Sequence, residues 1–405
     1  MVTSANKGQA LIALLLCVTG LFFGLLAVTE LGQRAQRQTH IQQVADHATE
    51  AFAIVVARDL NFKAVTNRAA LANQVAIAQL VGLSSYLAML NETTRNSALV
   101  TSWIPYLNAV MTRLAQTLQQ IQQPFNRAVQ GLIQAEALLI QLLSSSQLLF
   151  HAAAAATALQ TSQQIVEGTD ERLQLVLLNH ATLPDFAYSW VTYQRRDALA
   201  SYYQPLLQQS RDGFSERRSY RWFGIGGAVS ARFDKWGGTE LVATHNQRLH
   251  VQAIDVATLR VRLGPFRRYT VPVGTGGSYA GARPPVSGYV APTAFGGAYA
   301  ARGALSRNTA LRSRRLSQPL TMPALYRVHS HNDWPRMTLV VREKEASDPL
   351  QPFAIARAQV RYQRPTELWP RRDRLTERSN LLNALWQARL VPISIAEQWL
   401  LEQQV

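Results

Sequence analysis

The first pattern along the chain is an uninterrupted apolar stretch near the N-terminus. Ala10–Val28 contains 19 uncharged residues and lies between Lys7 and Glu30. As a helix rising ~1.5 Å per residue it would measure ~28 Å, which is enough to cross the hydrocarbon layer of a membrane once. The pattern predicts a transmembrane helix at residues 10–28, preceded by a short cytoplasmic leader of residues 1–9.

The residues on either side of this stretch favour a retained anchor over a cleaved signal peptide. A cleaved signal has a shorter apolar core and a small-x-small site behind it, and no such site follows Val28. The leader carries Lys7, which favours a cytoplasmic N-terminus. We expect a single-pass protein with residues 30–405 outside the cytoplasm. Gly20 and Gly24 are spaced for close pairing of two such helices in the membrane.

Beyond the span, apolar residues recur every three or four positions, as they do on one face of an α-helix. No glycine or proline occurs between Gly32 and Gly82, so one long helix can continue from the membrane. A stricter seam predicts a second helix ending near Pro124: Ile104, Leu107, Met111, Leu114, Leu118 and Ile121. A third helix is predicted from Val129 to about Ile165, which makes residues 29–189 a helical region.

The seam has two interpretations. We expect it to be the buried core of a helical bundle; the alternative is a contact surface for another protein. Only Arg113, Arg127 and Glu136 are charged between residues 97 and 166. Helices with so few charges are poorly solvated alone, so they should pack on each other or on a partner.

The second half of the chain has the alternating pattern of β-strands. Apolar and polar residues alternate at 259–263 and 356–363, and shorter runs occur at 338–341 and around Val328. Residues 274–303 are dense in Gly, Pro, Ala and Ser and predict a long mobile loop. We expect a strand-rich domain at 190–375 and a C-terminal helix within 376–405, formed by about 378–390. The predicted fold class is α+β.

The net charge of +16 lies entirely in this second half. Residues 190–405 hold 31 basic and 15 acidic side chains, whereas residues 1–189 balance. Arginine clusters occur at Arg217/Arg218/Arg221, Arg312/Arg314/Arg315 and Arg371/Arg372/Arg374. They indicate either a solvated basic surface or attraction to anionic lipid or an acidic envelope polymer. Nucleic acid is not expected as a partner of a domain beyond the membrane.

Few residues carry candidate chemistry. His329 and His331 with Asp333 could supply metal ligands, but the other six histidines form no matching pair, which favours a polar strand end. The glycine runs at 224–227 and 274–277 match neither phosphate-binding pattern and are interpreted as turns. No G-x-S-x-G elbow occurs, and the single Cys17 permits no intrachain disulfide. We therefore predict neither a cofactor nor a metal.

Several short motifs after the span resemble those of a known family. They are Gln43-Val44-Ala45-Asp46, Ala57-Arg58-Asp59-Leu60-Asn61-Phe62, Thr66-Asn67-Arg68-Ala69 and Ala72-Asn73-Gln74-Val75-Ala76. Together with Lys7-Gly8-Gln9-Ala10 before the apolar helix, they are similar to bacterial TadE/TadG-like proteins, which are associated with assembly of the tight-adherence (Flp-type) pilus. Trp386-Gln387-Ala388-Arg389-Leu390 is also similar to long members. The resemblance covers residues 7 to about 82.

The resemblance implies a non-enzymatic protein of the bacterial inner membrane, acting as a minor pilin-like or assembly component with other pilus-assembly or envelope proteins as partners. It also implies leader processing after Gly8. Processed members carry Glu five residues beyond the cleaved glycine, where this chain has Ala13, and the D-x-S-x-S adhesion motif of some members is lacking. The alternative function is an envelope metal-binding or enzymatic domain centred on His329 and His331.

The family-like motifs place polar residues on an otherwise apolar helix: Arg58, Asp59, Asn61, Asn67, Asn73 and Gln74. Buried polar groups on a helix need hydrogen-bond partners on a neighbouring element. We therefore expect these side chains to contact another element, the alternative being that they face solvent beside the membrane.

Overall fold

The computed structural model describes residues 7–102, 104–176, 195–197, 218–225, 229–243, 248–264, 267–282, 298–318, 320–321, 324–328, 334–344, 353–364, 372–373 and 378–394. The fold is α+β, as the sequence predicts, with a long apolar N-terminal helix and a strand-rich later region. The helices are α1 (Lys7–Val100), α2 (Pro105–Thr169) and α3 (Ala298–Leu311). The strands are β1 (Leu173–Val176), β2 (Arg195–Asp197), β3 (Arg218–Ile225), β4 (Val229–Ala243), β5 (Arg248–Leu263), β6 (Arg267–Gly281), β7 (Arg314–Arg315), β8 (Leu320–Thr321), β9 (Ala324–Tyr326), β10 (Arg336–Glu343), β11 (Phe353–Tyr362) and β12 (Trp386–Leu390).

Helix α1 is 94 residues long and changes character along its length. Between Leu11 and Leu31 every large apolar side chain is 46–75% exposed, whereas burial begins at Ile41. Soluble proteins rarely expose a continuous apolar surface of this size to water. By length and composition, α1 and α2 could each cross a membrane.

Helix α2 continues through Pro124, so the prediction of a helix end there and of a separate third helix is wrong. Proline removes one backbone hydrogen bond, to the carbonyl four residues earlier. Gln120 and Pro124 are exposed, so that carbonyl lies at a solvated surface. On the other side of α2, Gln122 and Asn126 bond to α1, through Asn91 at 2.6 Å and Ser84 at 2.7 Å. These contacts hold the helix together across the proline.

The chain divides into two compact units, each assembled from separate segments. Unit 1 comprises residues 1–64, 149–194 and 327–405, and unit 2 comprises residues 65–148 and 195–326. Each unit contains part of α1, part of α2 and its own strands. This division differs from the predicted boundary at about residue 190, because strands from the second half of the chain pack on helix segments from the first half within each unit.

Unit 1 has a four-stranded antiparallel sheet in the order β1-β10-β11-β12. The alternation predicted at 356–363 is confirmed in β11, where Ala356, Ala358 and Val360 are buried between half-buried polar residues. Gln38 and Gln42 of α1 donate to the carbonyls of Phe353 and Ile355 at 2.9 and 3.1 Å. Side-chain amides of the helix therefore bond directly to the backbone of the sheet.

The predicted C-terminal helix at 378–390 is wrong, because Trp386–Leu390 forms strand β12 beside β11. The Asn380 side chain accepts hydrogen bonds from the backbone N–H groups of Leu382 and Asn383 at 2.9 and 3.1 Å. Such local bonds favour a turn over a helix. Trp386 then stacks edge-on against Tyr362 of β11, with ring centroids 5.3 Å apart. Residues 395–405 of the predicted segment lie outside the described residues.

Unit 2 has a larger sheet in the order β3-β4-β5-β6-β7, with β8 pairing to β5. Neighbouring strands are antiparallel except the β6–β7 pair. A separate two-stranded sheet joins β2 and β9. The core is formed by α1, α2 and the sheet, with these buried members: Ala70, Ile77, Val81, Val129, Ile133, Ile140, Val251, Ala253, Ala280, Leu316 and Leu320.

The predicted loop at 274–303 is wrong at both ends, since residues 274–281 belong to β6 and residues 298–303 to α3. The glycines that suggested a loop instead let the strand approach α1. A Cβ at Gly276 would overlap the carbonyl oxygen of Ser85 and lie 2.5 Å from the backbone nitrogen of Met89. Glycine is needed here for close backbone contact rather than for a turn.

The 104–121 seam is not buried, contrary to the expectation of a bundle core. Leu107, Leu114 and Ile121 are 40%, 45% and 47% exposed, and Ile104, Met111 and Leu118 are half-buried. The face of α2 that packs on α1 in unit 2 is a different one, marked by the buried Asn126, Val129 and Ile133. The alternative interpretation, a contact surface for another protein, is the one that fits the exposed seam.

The close helix–strand approach gives a test of the fold. Replacing Gly276 by Ala should lower the free energy of unfolding by about 1–3 kcal/mol, the usual cost of forcing extra volume into a packed site. The matched control is Gly82→Ala in α1, where the added Cβ meets only Thr239 Oγ1 at 3.5 Å. It should be neutral or stabilising by up to about 1 kcal/mol. Chemical denaturation of both variants measures the difference, and equal midpoints would contradict the packing.

Candidate functional site

The polar residues predicted on α1 fall into three groups. Asp59, Asn67 and Gln74 are buried. Asn61 and Asn73 are half-buried, and Arg58 is exposed. The buried members therefore do not face solvent beside the membrane.

The residues predicted near the membrane are placed at the start of α1. Gly8 lies in its first turn, and Gly20 and Gly24 have no atom within 4 Å of a Cβ built on them. Cys17 is exposed in the same apolar stretch.

The strongest cluster in unit 1 joins a carboxylate, an amine and an imidazole. Lys63 Nζ lies 2.6 Å from Asp59 Oδ2 and 2.8 Å from His151 Nδ1, and His151 Nδ1 lies 2.7 Å from Asp59 Oδ2. Asp59 and Lys63 are one helical turn apart on α1, while His151 reaches them from α2. The Lys63 and Asp59 side chains are 0% and 2% exposed, and that of His151 is 17% exposed.

This triangle cannot make three hydrogen bonds while Lys63 is charged. Imidazole Nδ1 either donates to the carboxylate or accepts from the amine, and an ammonium group has no lone pair with which to accept. Burial lowers the pKa of Lys63 from its ordinary value of 10.5 to about 8, against the opposing attraction and hydrogen bond of Asp59. Burial therefore favours loss of the Lys63 proton as pH rises.

Two further contacts fix the helices of unit 1 beside this cluster. Asn61 donates from Nδ2 to the carbonyl of Trp386 at 2.9 Å and accepts from the Trp386 N–H at 3.0 Å. This side-chain amide thus bonds to β12 as a neighbouring strand would. Phe62 stacks on Phe150 with ring centroids 4.2 Å apart, which adds an apolar contact between α1 and α2.

In unit 2, polar contacts continue along α1. Gln147 of α2 donates to Thr66 Oγ1 and to Asn67 Oδ1, both at 2.6 Å, and Asn67 donates to the carbonyl of Tyr326 at 3.0 Å. One amide therefore links α1 to both α2 and β9. Farther along α1, Ser84 bonds to Asn126 of α2 and lies 2.9 Å from Ser278 Oγ of β6.

A second buried ion pair lies within unit 2. Lys235 Nζ is 3.0 Å from Asp255 Oδ1, and Ser85 of α1 donates to Asp255 Oδ2 at 2.7 Å. Burial raises the pKa of Asp255 above its ordinary value, and the charge of Lys235 and the Ser85 hydroxyl oppose that shift. The Lys235 ammonium also lies 4.8 Å from the centre of the Tyr86 ring. These contacts connect the sheet to α1 through charge as well as packing.

Gln74 is the exception among the buried polar residues of α1. Within the described part of the chain, neither of its amide atoms has a hydrogen-bond partner. It lines an open cavity of about 290 Å³ with Gln134, Gln141 and Gln318. Water in a cavity of this size can satisfy a buried amide, so we interpret the cavity as hydrated space rather than a reaction site.

A larger open cavity, of about 460 Å³, lies in unit 1 just beyond the apolar part of α1. Its arginines are paired with carboxylates: Arg34 with Glu30, Arg37 with Glu343, and Arg172 with Asp170. Its basic charge is therefore balanced, and the cavity does not have the character of an anion site.

Some of the remaining candidate residues lie outside the described part of the chain. His329, His331 and Asp333 lie outside the described residues, and within those described no group of three or more His, Cys, Asp and Glu side chains is arranged to hold a metal. Of the clustered arginines, the exposed ones are Arg218, Arg221, Arg312, Arg314, Arg315 and Arg372. Arg217, Arg371 and Arg374 lie outside the described residues.

Comparison of the chain with family models, with curated proteins and with solved structures found no match.

Sequence reasoning missed Lys63, His151 and the Lys235–Asp255 pair. A signal for the first was available, because Asp59 and Lys63 have the i, i+4 spacing of a helical ion pair on an apolar face. His151 lies 88 residues from Lys63, and only the antiparallel pairing of α1 with α2 brings them together. The sequence pattern of α1 does not show which residues of α2 lie beside it.

The lowered pKa of Lys63 predicts a pH dependence of stability. Between pH 7 and 9 the folded protein loses the Lys63 proton, while the unfolded chain, with a pKa of 10.5, keeps it. Because the unfolded state then binds more protons, the free energy of unfolding should rise by about 1 kcal/mol over this interval. Urea unfolding of the full chain in detergent at both pH values measures the rise.

Lys63→Met should abolish this component of the pH dependence. The control is Lys344→Met, which removes an exposed lysine and should leave the rise intact. An equal rise in Lys63→Met and the unmodified chain would show that Lys63 is not the titrating group.

Proposed function

We propose that this chain is a non-enzymatic, membrane-anchored envelope protein, acting as a minor pilin-like or assembly component of a Flp/Tad-type pilus. It would be anchored once in the bacterial inner membrane, with residues 30–405 outside the cytoplasm. The proposal combines the motif resemblance at residues 7–82 with the physical character of α1. It is a proposal about position and assembly, not about a reaction.

The observation that supports it best is the continuity of α1. The same helix that exposes an apolar surface at 11–31 carries Asp59, Asn61 and Asn67 into buried hydrogen bonds of the two folded units. An anchor that is also the central core element suits a protein whose task is to hold a folded body at the membrane. The buried clusters bond elements to one another and leave little room for a substrate.

Its partners would be the lipid bilayer, through residues 10–28, and other pilus-assembly or envelope proteins. The exposed arginines of β3 and β7 would add attraction to anionic lipid or to an acidic envelope polymer. Such attraction is electrostatic, so it should weaken as salt is raised. We do not propose nucleic acid as a partner.

The topology can be tested with reporter fusions. Alkaline phosphatase fused after residue 40 and after residue 400 should be active in both cases, because a single span leaves both positions outside the cytoplasm. A green fluorescent protein fused at the same positions should remain dark after export through the general secretion route. An active cytoplasmic reporter at residue 400 would refute the single-span topology.

Pilus output separates the assembly function from the metal-binding alternative. Asn67→Ala removes hydrogen bonds to Tyr326 and Gln147 and should cost about 1–3 kcal/mol, lowering both folded protein and surface pili. Arg68→Ala, at the exposed neighbouring position, is the matched control and should change neither. Replacing His329 and His331 by Ala should leave pilus output intact.

The opposite result would favour the alternative. If pili are lost in the histidine variant while the protein stays folded, and if metal analysis of the purified chain finds bound metal that this variant lacks, the domain is a metal site. Undiminished pili in a strain lacking the protein altogether would refute the assembly function itself.

A further inference from the structure

The exposed side of α2 in unit 2 carries an apolar repeat with a period of seven residues. Its members, here called the heptad stripe, are Leu107, Leu114, Ile121, Ala128, Ala135 and Leu142. All six are exposed. The three leucines and Ile121 are 40–55% exposed, so packing within the chain does not bury them.

The stripe is distinct from the face that α2 already uses. Toward α1 and the sheet of unit 2, α2 buries Val129, Ile133 and Ile140, which belong to the core of that unit. Leu132 and Leu139 lie beside the stripe, four residues after Ala128 and Ala135, and are 52% and 47% exposed. A helix with two apolar faces, one buried and one exposed, is incompletely packed in a single chain.

The period of the exposed face indicates what covers it. Apolar residues repeating every seven positions, with a second series three or four residues away, are the pattern of helices that pack side by side as a coiled coil. The second series consists of the exposed Leu132 and Leu139 and the half-buried Met111, Leu118 and Phe125, of which Phe125 also packs on the core of unit 2. Contact with lipid needs only apolarity and imposes no seven-residue repeat.

The charges around the stripe favour a second copy over a charged partner. The positions beside it are uncharged: Val110, Thr117, Pro124, Gly131 and Leu138. All of them are exposed, so two identical stripes can meet without like charges facing each other. Ala128, Gly131 and Ala135 are small, and no atom lies within 4 Å of a Cβ built on Gly131, so two helices can approach closely there.

The area of the stripe is sufficient for pairing of anchored copies. Residues 107–142 span ~53 Å of helix, and a strip ~10 Å wide along that length covers ~530 Å² on each partner. The total of ~1,060 Å² lies just above the ~1,000 Å² that is the lower limit for a specific interface. Confinement to one membrane would raise the effective concentration of copies and favour a contact of this modest size.

We propose that two copies of this chain associate through the heptad stripe of α2, stripe against stripe, as a coiled coil. The proposal depends only on residues 107–142 and stands or falls independently of the pilus assignment. In this arrangement the second copy covers the seam residues that a single chain leaves exposed.

Site-specific photocrosslinking in the living cell tests the identity of the occupant. A photoreactive amino acid at position 114 or 121 of the full-length chain should give an adduct of twice the chain mass, with mass spectrometry finding only peptides of this chain. The same residue at Gln116 or Gln123, exposed positions two residues along the helix and on a different face, should not. Adducts only with another protein, adducts only with lipid, or no adduct at the stripe would each overturn the proposal.

A second measurement tests the energetics. Leu114→Glu combined with Ile121→Glu places charges on exposed positions of a helix, where glutamate is well tolerated. It should raise the dissociation constant of the purified chain in detergent by at least ~100-fold, because like charges would face each other across the seam. Gln116→Glu with Gln123→Glu is the control and should leave the dissociation constant unchanged. A glutamate variant with wild-type helix content and wild-type self-association would refute the stripe as the interface.

Discussion

The structure depends on one constraint: a polar side chain on a buried helix must find a hydrogen-bond partner, and only one alignment of the neighbouring elements supplies it. Helix α1 meets this constraint repeatedly. In unit 1, Asp59 and Lys63 require His151, and Asn61 requires the backbone of β12. In unit 2, Asn67 requires Gln147. Sliding α2 along α1 by one turn would remove the His151 contact from the Asp59–Lys63 pair in unit 1 and would separate the Asn67 and Gln147 amides in unit 2, at a cost of about 1–3 kcal/mol for each buried group left unpaired. Apolar contacts alone, which are largely those of Ala, Val and Ile, would discriminate far less between neighbouring registers.

The same constraint explains which parts of the fold could be predicted from the sequence. The apolar stretch at 10–28, the helical period after it and the alternation in β11 are local patterns, and the structure has a helix, a helix and a strand at these places. The errors arose where a distant segment overrides the local pattern. Gly276 looks like a loop residue until the backbone of α1 is placed against it. Trp386–Leu390 looks helical until β11 and Asn61 bond to its backbone. Only part of the buried polar cluster could be predicted from the sequence. Asp59 and Lys63 have a recognisable spacing within one helix, whereas His151 comes from another helix.

The exposed seam of α2 illustrates a different limit. Its 3-4 spacing indicates a face suited to packing on another helix, but the spacing is the same whether that helix belongs to the same chain or to a second one. The competing face, with Val129, Ile133 and Ile140, takes the intramolecular position because it also carries Asn126, which bonds to Ser84 of α1. Polar groups therefore select which of two apolar faces turns inward.

The division of the chain into interleaved segments has a consequence for the order in which the two units can fold if the chain is exported as proposed. Every segment of unit 2 ends by residue 326, whereas unit 1 takes residues 1–64 and 149–194 but also needs the three strands between 336 and 390. If residues 30–405 cross the membrane in sequence order, as the proposed topology requires, unit 2 has all of its residues available while unit 1 still lacks most of its sheet. Until β10, β11 and β12 follow, the Asp59 cluster can form between α1 and α2, whereas Asn61 lacks the Trp386 backbone to which it bonds. On this route the last strand to be exported completes the unit that also contains the first part of α1.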